Sequence, residues 1–210
     1  STADALAQLV AASRDLPCDV LAPVEDCGVE DDRVWAACGQ HRGRTAAEAM
    51  TFHGRFPPEL VLEIARTMMP GQIALEQAGL SHGDLRAATL ILGASANGTT
   101  GPRLPFPGLR TVIRPREGYA HLDLPPEAID GLAPERIRDG TPANTASDVY
   151  ACGCLWWHLL TGRDPLPGGD GLTKLQTAQR AEVGDPRPLA PDTPNELLAA
   201  IRACTRPIPD

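Results

Sequence analysis

The stretch SDVYACGCLWWHLLTG, Ser147 to Gly162, is nearly all apolar at helical spacing. A helix that is hydrophobic all round has to be enclosed by other elements, so this one runs through the middle of whatever the chain forms. It opens on Ser-Asp, a pair suited to a helix start, and stops at Gly162, a residue suited to a left-handed cap. The remaining chain must then cover it on several sides. With 210 residues, 42 % of them hydrophobic, it has the apolar material to do so.

The covering elements are legible in part. Leu6, Leu9 and Val10 predict a helix over Thr2–Ser13. Two β segments follow, Leu21 to Cys27 and Arg33 to Cys38, joined by the acidic turn Glu30-Asp31-Asp32. Thr45 caps a short helix through Met50, with Glu48 completing a capping box. PPELVLEIARTMM places Leu60, Val61, Ile64, Ala65 and Met68 on one helix face. Pro70-Gly71 predicts a kink there, or two helices, because an internal proline costs roughly 3 kcal/mol. A β-hairpin-like region spans the turn-rich ASANGTTGP, and GLTKLQTAQRAEV and PNELLAAIRACTR are amphipathic helices. A little β at the front and helices behind make an α+β chain.

Several functions are excluded. The formal net charge of −8 argues against nucleic acid. No apolar run reaches the ~18 residues of a membrane span, and no signal peptide opens the sequence, so a cytoplasmic location without membrane contact is expected. The six cysteines lack paired CxxC spacing and read as reduced thiols. Cys154 and His158 share a helix face and read as a buried, metal-free pair. Gly93 to Gly101 has phosphate-loop glycine spacing, but Thr99 stands where the lysine belongs and Pro102 where a helix should begin, so it reads as a turn. Of 19 basic residues only one is lysine, Lys174. Trp35, Trp156 and Trp157 read as core or packing residues, and Arg86 and Arg103 as surface arginines, with metal-free phosphate binding as their alternative.

Five ordered segments resemble the bacterial serine/threonine protein-kinase family. HGDLRAATLIL (from His82) resembles the catalytic loop HRDLxxxNxL. GLAPERI (Gly131 to Ile137) resembles the APE end of the activation segment, and the apolar helix with the RDPL after it resembles SDVYSLGxxLxELLTGxxPF. LPCDVLAPVEDCG resembles the passage into the fourth strand of the small lobe, and DRVWAACGQHRGRT the fifth strand and hinge. The resemblance implies a protein-kinase-like fold: mainly the helical C-terminal lobe (residues 41–210) with a remnant of the N-terminal lobe (residues 1–40). Within it lie a catalytic loop at 80–92, an activation-like segment at 106–137 and a central buried helix at 147–162. It also implies that the large lobe stops early and that the sequence is a segment of a longer protein.

By the same resemblance Asp84 is the candidate catalytic base. His82, Asp148 and Glu135 support the site: Asp148 accepts hydrogen bonds from the catalytic-loop backbone, and His82 packs between that loop and the activation segment. Cys38, at the gatekeeper position, Gly39, Gln40 and His41 are hinge and nucleotide-pocket candidates. Other parts of the kinase machinery are missing. The glycine-rich loop and the strand with the ATP-anchoring lysine are not in the sequence, and Lys174 lies in a late helix. The helix glutamate falls near Ala7 and Gln8, and Gly83 replaces an arginine. Thr89 and Phe106 stand where two magnesium ligands are expected, and a phenyl ring cannot coordinate magnesium. The implied function is a pseudokinase, without cofactor, serving as a scaffold or regulatory module and contacting a protein partner or neighbouring domains through Arg110–Leu132 and Leu172–Val183. The alternative is an atypical serine/threonine kinase that uses ATP and magnesium, with Asp84 as base. A hydrolase has no nucleophile–base pair to support it.

Overall fold

Asn144 sets where the central helix begins. Its side chain accepts from the Ser147 amide and the Ser147 hydroxyl accepts from the Asn144 amide, 2.9 Å each, so Ser147 is the third residue of a capping box rather than the cap. The helix therefore starts one turn earlier than its sequence suggests and ends as expected, on Gly162 in the left-handed region (φ +67°). The structure is a computed structural model and describes every residue except 1, 15, 17, 32, 96–99, 115–128, 167–169, 179–182 and 207–210.

In chain order the elements are α1 (Thr2–Ser13), β1 (Leu21–Ala22), β2 (Val24–Glu30), β3 (Arg33–Cys38), β4 (His41–Thr45), α2 (Ala46–His53), α3 (Pro58–Gln77), β5 (Ile91–Ser95), β6 (Thr100–Pro105), α4 (Leu109–Ile113), α5 (Pro134–Asp139), α6 (Thr145–Thr161), α7 (Gly171–Ala178) and α8 (Asn195–Cys204). Apart from Val149 and His158, α6 is buried from Ser147 to Thr161. Val61, Ile64, Met68 and Leu75 of α3, Leu155, Trp156, Leu159 and Leu160 of α6, and Leu197 and Ile201 of α8 form one core, closed from above by Leu90 and Leu104. Gly153 lets α8 approach, since a Cβ there would lie 2.6 Å from the Thr205 methyl.

Two sequence expectations change. The first β segment is broken at Pro23, which has no amide to give a ladder. Before it, β1 pairs parallel with β6; after it, β2 pairs antiparallel with β3. The helix through Pro70 is continuous from Pro58 to Gln77. Pro70 faces outward, while Gly71 faces Val20 and Leu21 so closely that a Cβ would meet Val20 Cγ1 at 2.4 Å. Burial of Met68 and Leu75 on either side keeps the helix whole against the lost hydrogen bond. The Thr45–Glu48 capping box is present as expected.

The four-stranded sheet has the order β1-β6-β5-β4. Gly43, Gly93 and Gly101 stand in one row across β4, β5 and β6. This explains the glycines that imitate a phosphate loop: a Cβ at Gly93 would lie 2.0 Å from the Arg42 carbonyl oxygen, so the strands meet only over glycine. The turn itself, residues 96–99, lies outside the described residues.

Trp156 and Trp157 are buried as expected, but Trp35 is 43 % exposed. Its indole lies across Gly28, where a Cβ would be 2.9 Å from the ring. Cross-strand seating on a glycine, not burial, places it. All six cysteines are free thiols. Cys154 and His158 line one cavity, and His158 Nδ1 pairs with the Arg163 carbonyl at 2.8 Å.

Candidate functional site

The loop after α3 is built on Asp148, in the first turn of α6. Its two carboxylate oxygens accept the His82 amide at 2.5 Å and the Gly83 amide at 2.9 Å. Burial pushes the Asp148 carboxyl up to about 6, against the two amides and nearby Arg136, which favour its charged form. Gly83 has φ +79°, a region that favours glycine.

His82 is buried and joins two segments. Its Nδ1 accepts the Asp84 amide at 3.3 Å, and its carbonyl accepts the Gly108 amide at 3.1 Å. Burial pulls its imidazole down to about 4, with Asp84 and the Pro105 carbonyl opposing, so the ring is neutral near pH 7.

Asp84 sits at the mouth of this loop with its carboxylate between two guanidinium groups. Arg86 donates from Nε at 2.8 Å and Nη2 at 3.4 Å, and Arg110 Nη1 lies 3.1 Å from Oδ1. Arg86 is thus a partner of Asp84 rather than a plain surface arginine. Arg103 corrects the same expectation more strongly: it is 3 % exposed, at the register position opposite Ile91. Arg110 was not singled out by the sequence, because nothing local distinguishes it from the other arginines.

Thr89 spends its hydroxyl inside the loop, accepting the Arg86 amide at 3.2 Å and reaching the Asp84 and Arg86 carbonyls at 2.6 and 3.0 Å. Phe106 follows β6 with φ +58°, unusual for a residue with a side chain, and its amide donates to the Ala22 carbonyl at 3.1 Å. Glu135 lies in the first turn of α5, and its Oε1 has no hydrogen-bond partner among the described residues. Its negative charge adds to the burial that raises the Tyr150 hydroxyl.

The hinge candidates occupy the joint between β3 and β4. Cys38 ends one strand, His41 begins the next, and Gly39 and Gln40 connect them. Burial raises the Cys38 thiol, with Glu25 adding to it. Burial and Arg103 lower the His41 imidazole, with Glu25 opposing. A Cβ at Gly39 would sit 3.1 Å from Glu25 Oε1, so Glu25 leans over this joint. Ala7 and Gln8 are both exposed on α1.

Lys174 is committed elsewhere. From α7 its ammonium lies 2.5 Å from Asp130 and 2.7 Å from Asp164, with the lysine side chain 2 % exposed. Burial alone would lower it, but the two carboxylates more than offset that and hold it above the usual lysine range. The middle of the activation-like segment, residues 115–128, lies outside the described residues, as does part of Leu172–Val183.

Comparison with known proteins fits this arrangement. A family model described as protein tyrosine and serine/threonine kinase matches residues 44–210. Serine/threonine-protein kinase PknL of Mycobacterium tuberculosis is 29 % identical over 188 residues, covering 87 % of this chain and 45 % of that protein. Serine/threonine-protein kinase PkaA of Streptomyces coelicolor is 33 % identical over 154 residues, 70 % of this chain and 27 % of the relative. The chain thus spans less than half the length of these relatives. A crystal structure of Rad53 in complex with AMP-PNP superposes with a TM-score of 0.76 at 16 % identity, covering 98 % of this chain and 50 % of the other. That likeness gives the fold, and no helix among the described residues is long and apolar enough to cross a membrane. Since the family model matches residues 44–210, which hold the Asp148-anchored loop and the helices from α2 to α8, the chain belongs to the protein-kinase family, among relatives of the bacterial serine/threonine type.

Proposed function

We propose that this domain is a pseudokinase: a cytoplasmic scaffold or regulatory module of a larger signalling protein, contacting a protein partner or neighbouring domains rather than transferring phosphate. The observation that carries this reading is the state of Asp84. A general base must reach the proton it removes, and both oxygens of this carboxylate are engaged by guanidinium donors. The donor set also does not fit magnesium-ATP. Phosphoryl transfer depends on positioning and on neutralising charge, with hard oxygen ligands for the metal. Phe106 offers no oxygen, and the Thr89 hydroxyl is spent on its own loop. In this reading the domain works without a cofactor. The formal charge of −8 supports a protein rather than a nucleic-acid partner.

What His82 and Asp148 do here is architectural: they order the loop whether or not phosphate moves. A second reading is favoured by the same order. The His82 and Gly83 amides are held on Asp148, and the relatives carry kinase names. In that reading Asp84 takes the proton of a protein hydroxyl as the ATP γ-phosphate is transferred, with Cys38, Gly39, Gln40 and His41 at the nucleotide pocket. A phosphate-anchoring lysine would come from residues outside this sequence.

Calorimetric titration of the full-length protein with ATP, with and without magnesium, separates the two. No binding, or binding indifferent to magnesium, is the expected result. Magnesium-dependent binding, followed by phosphate transfer that Asp84→Asn abolishes, would overturn the pseudokinase reading.

A further inference from the structure

The four-stranded sheet is open along β4. Its inner edge is taken by β5, and the ladder runs on into α2, where the Ala46 amide donates to the Leu90 carbonyl at 2.7 Å. In an antiparallel ladder the backbone groups point towards and away from the partner strand at alternate residues. With Ala46 pointing inward, Arg42 and Arg44 point inward too, and His41, Gly43 and Thr45 turn their N–H and C=O groups outward. The Thr45 amide obeys this rule, donating to Glu48 Oε2 at 2.8 Å. The outward groups of His41 and Gly43 have no hydrogen bond among the described residues.

Side chains alternate as well, so Arg42 and Arg44 share one face of the strand, and both are exposed. Arg66, Arg138, Arg187 and Arg202 each meet a carboxylate within 3.0 Å, whereas Arg42 and Arg44 form no ion pair among the described residues. The Glu48 carboxylate, which Arg44 attracts, is held by the Thr45 amide and hydroxyl. The Arg44 guanidinium lies over the Phe52 ring, 4.8 Å from its centre, and Phe52 is 69 % exposed. On the opposite face the middle residue of the edge is Gly43. It leaves room for a large side chain from a neighbouring strand, as Gly28 does for Trp35.

We propose that β4 is a docking edge for an acidic, extended segment of a protein partner, added antiparallel as a further strand. The segment reads acid, large apolar residue, acid. Its acids stand opposite Arg42 and Arg44, the positions where cross-strand side chains come closest, and its apolar residue stands opposite Gly43. A second copy of β4 does not fit. Centred on Gly43, it would set Arg42 against Arg44 on both sides, and like charges directly opposite repel. An anionic lipid surface would meet the arginines and Phe52 but would supply no ladder for His41 and Gly43. The docking edge rests on the scaffold reading for its use and names the chemistry of the partner.

The test is fluorescence anisotropy of the full-length protein with a fluorescein-labelled peptide, Glu-Trp-Glu flanked on each side by Val-Thr, joined to amide exchange of the complex. Saturable binding is expected, with slower exchange at the His41 and Gly43 amides. Arg42→Gln combined with Arg44→Gln should weaken it about tenfold, the size of two exposed cross-strand ion pairs. Both side chains are exposed, and the exchange measurement on the parent needs neither variant. Proline in place of the peptide's Trp removes the amide opposite Gly43 and should abolish binding. No saturable binding, equal binding of the proline peptide, or a change of less than about twofold in the double variant overturns the docking edge. Sedimentation with phosphatidylserine–phosphatidylcholine vesicles, without peptide binding, overturns it in favour of a lipid surface. Peptide binding alongside magnesium-dependent phosphate transfer supports the docking edge and overturns the pseudokinase reading. Absence of both peptide binding and ATP binding overturns the docking edge and leaves the pseudokinase reading standing.

Discussion

Asp148 holds the catalytic-type loop by accepting the amides of His82 and Gly83 on opposite oxygens of one carboxylate. It does so from the first turn of a helix that is buried along most of its length, so the loop is referenced to the core of the domain. Asp148→Ala leaves two amides without an acceptor inside the protein and should cost about 3 kcal/mol, in the range for buried unsatisfied donors. Asp148→Asn keeps one oxygen and should cost less. Chemical denaturation of the two variants beside the parent checks the order.

The pH dependence of stability should reveal His82. Its folded value of about 4 lies below the unfolded value of 6.5, so its contribution is complete above pH 6.5 and is lost as pH falls towards 4. Asp130 and Asp148, both raised to about 6 mainly by burial, act in the opposite sense: their contributions are present at low pH and are lost as pH rises to about 6. These trends offset each other in the parent between pH 4 and 6. Comparison with His82→Asn isolates the imidazole. The stability gap between parent and variant should shrink by about 3 kcal/mol from pH 7 to pH 4; a constant gap would mean that His82 titrates normally.

Lys174 and Asp130 form a buried pair, and breaking one side of such a pair is costly because the other charge remains. Lys174→Met should destabilise the domain by about 3 kcal/mol at pH 7. The variant should regain part of that loss by pH 5, where Asp130 can take up a proton. Lys174→Met with Asp130→Leu should be closer to the parent than either single change. Urea midpoints for the three variants decide it.

At Gly93 any side chain must displace backbone rather than a flexible neighbour. Gly93→Ala should lower stability by about 1–3 kcal/mol, as overpacking does. Gly54→Ala makes a useful contrast, because it meets no atom within 4 Å and costs only the strain of its positive φ. Thermal unfolding of both separates crowding from conformational strain.

What the sequence disclosed depended on how far apart the cooperating residues lie. The Thr45–Glu48 box is a four-residue pattern and was readable without any tertiary information. The helix through Trp156 was equally plain, because an apolar surface on every side has one solution. The roles of His82 and Asp148 came from motif order. Arg103 and Trp35 were misread because an arginine buried in a sheet and a tryptophan seated on a cross-strand glycine are decided by strand pairing. Arg110 on Asp84 was invisible for the same reason: 26 positions separate them, and only the turn made by Gly108 brings them together. Pro70 misled in the other direction, since the burial on both sides of it outweighs the local penalty.

The single lysine has a practical consequence. With Lys174 enclosed by Asp130 and Asp164, this stretch of chain offers no accessible ε-amine to acylating reagents or amine-directed cross-linkers while it is folded. Acylation at that one position therefore works as a clock for the opening of α7, and a partner that docks beside that helix should slow it.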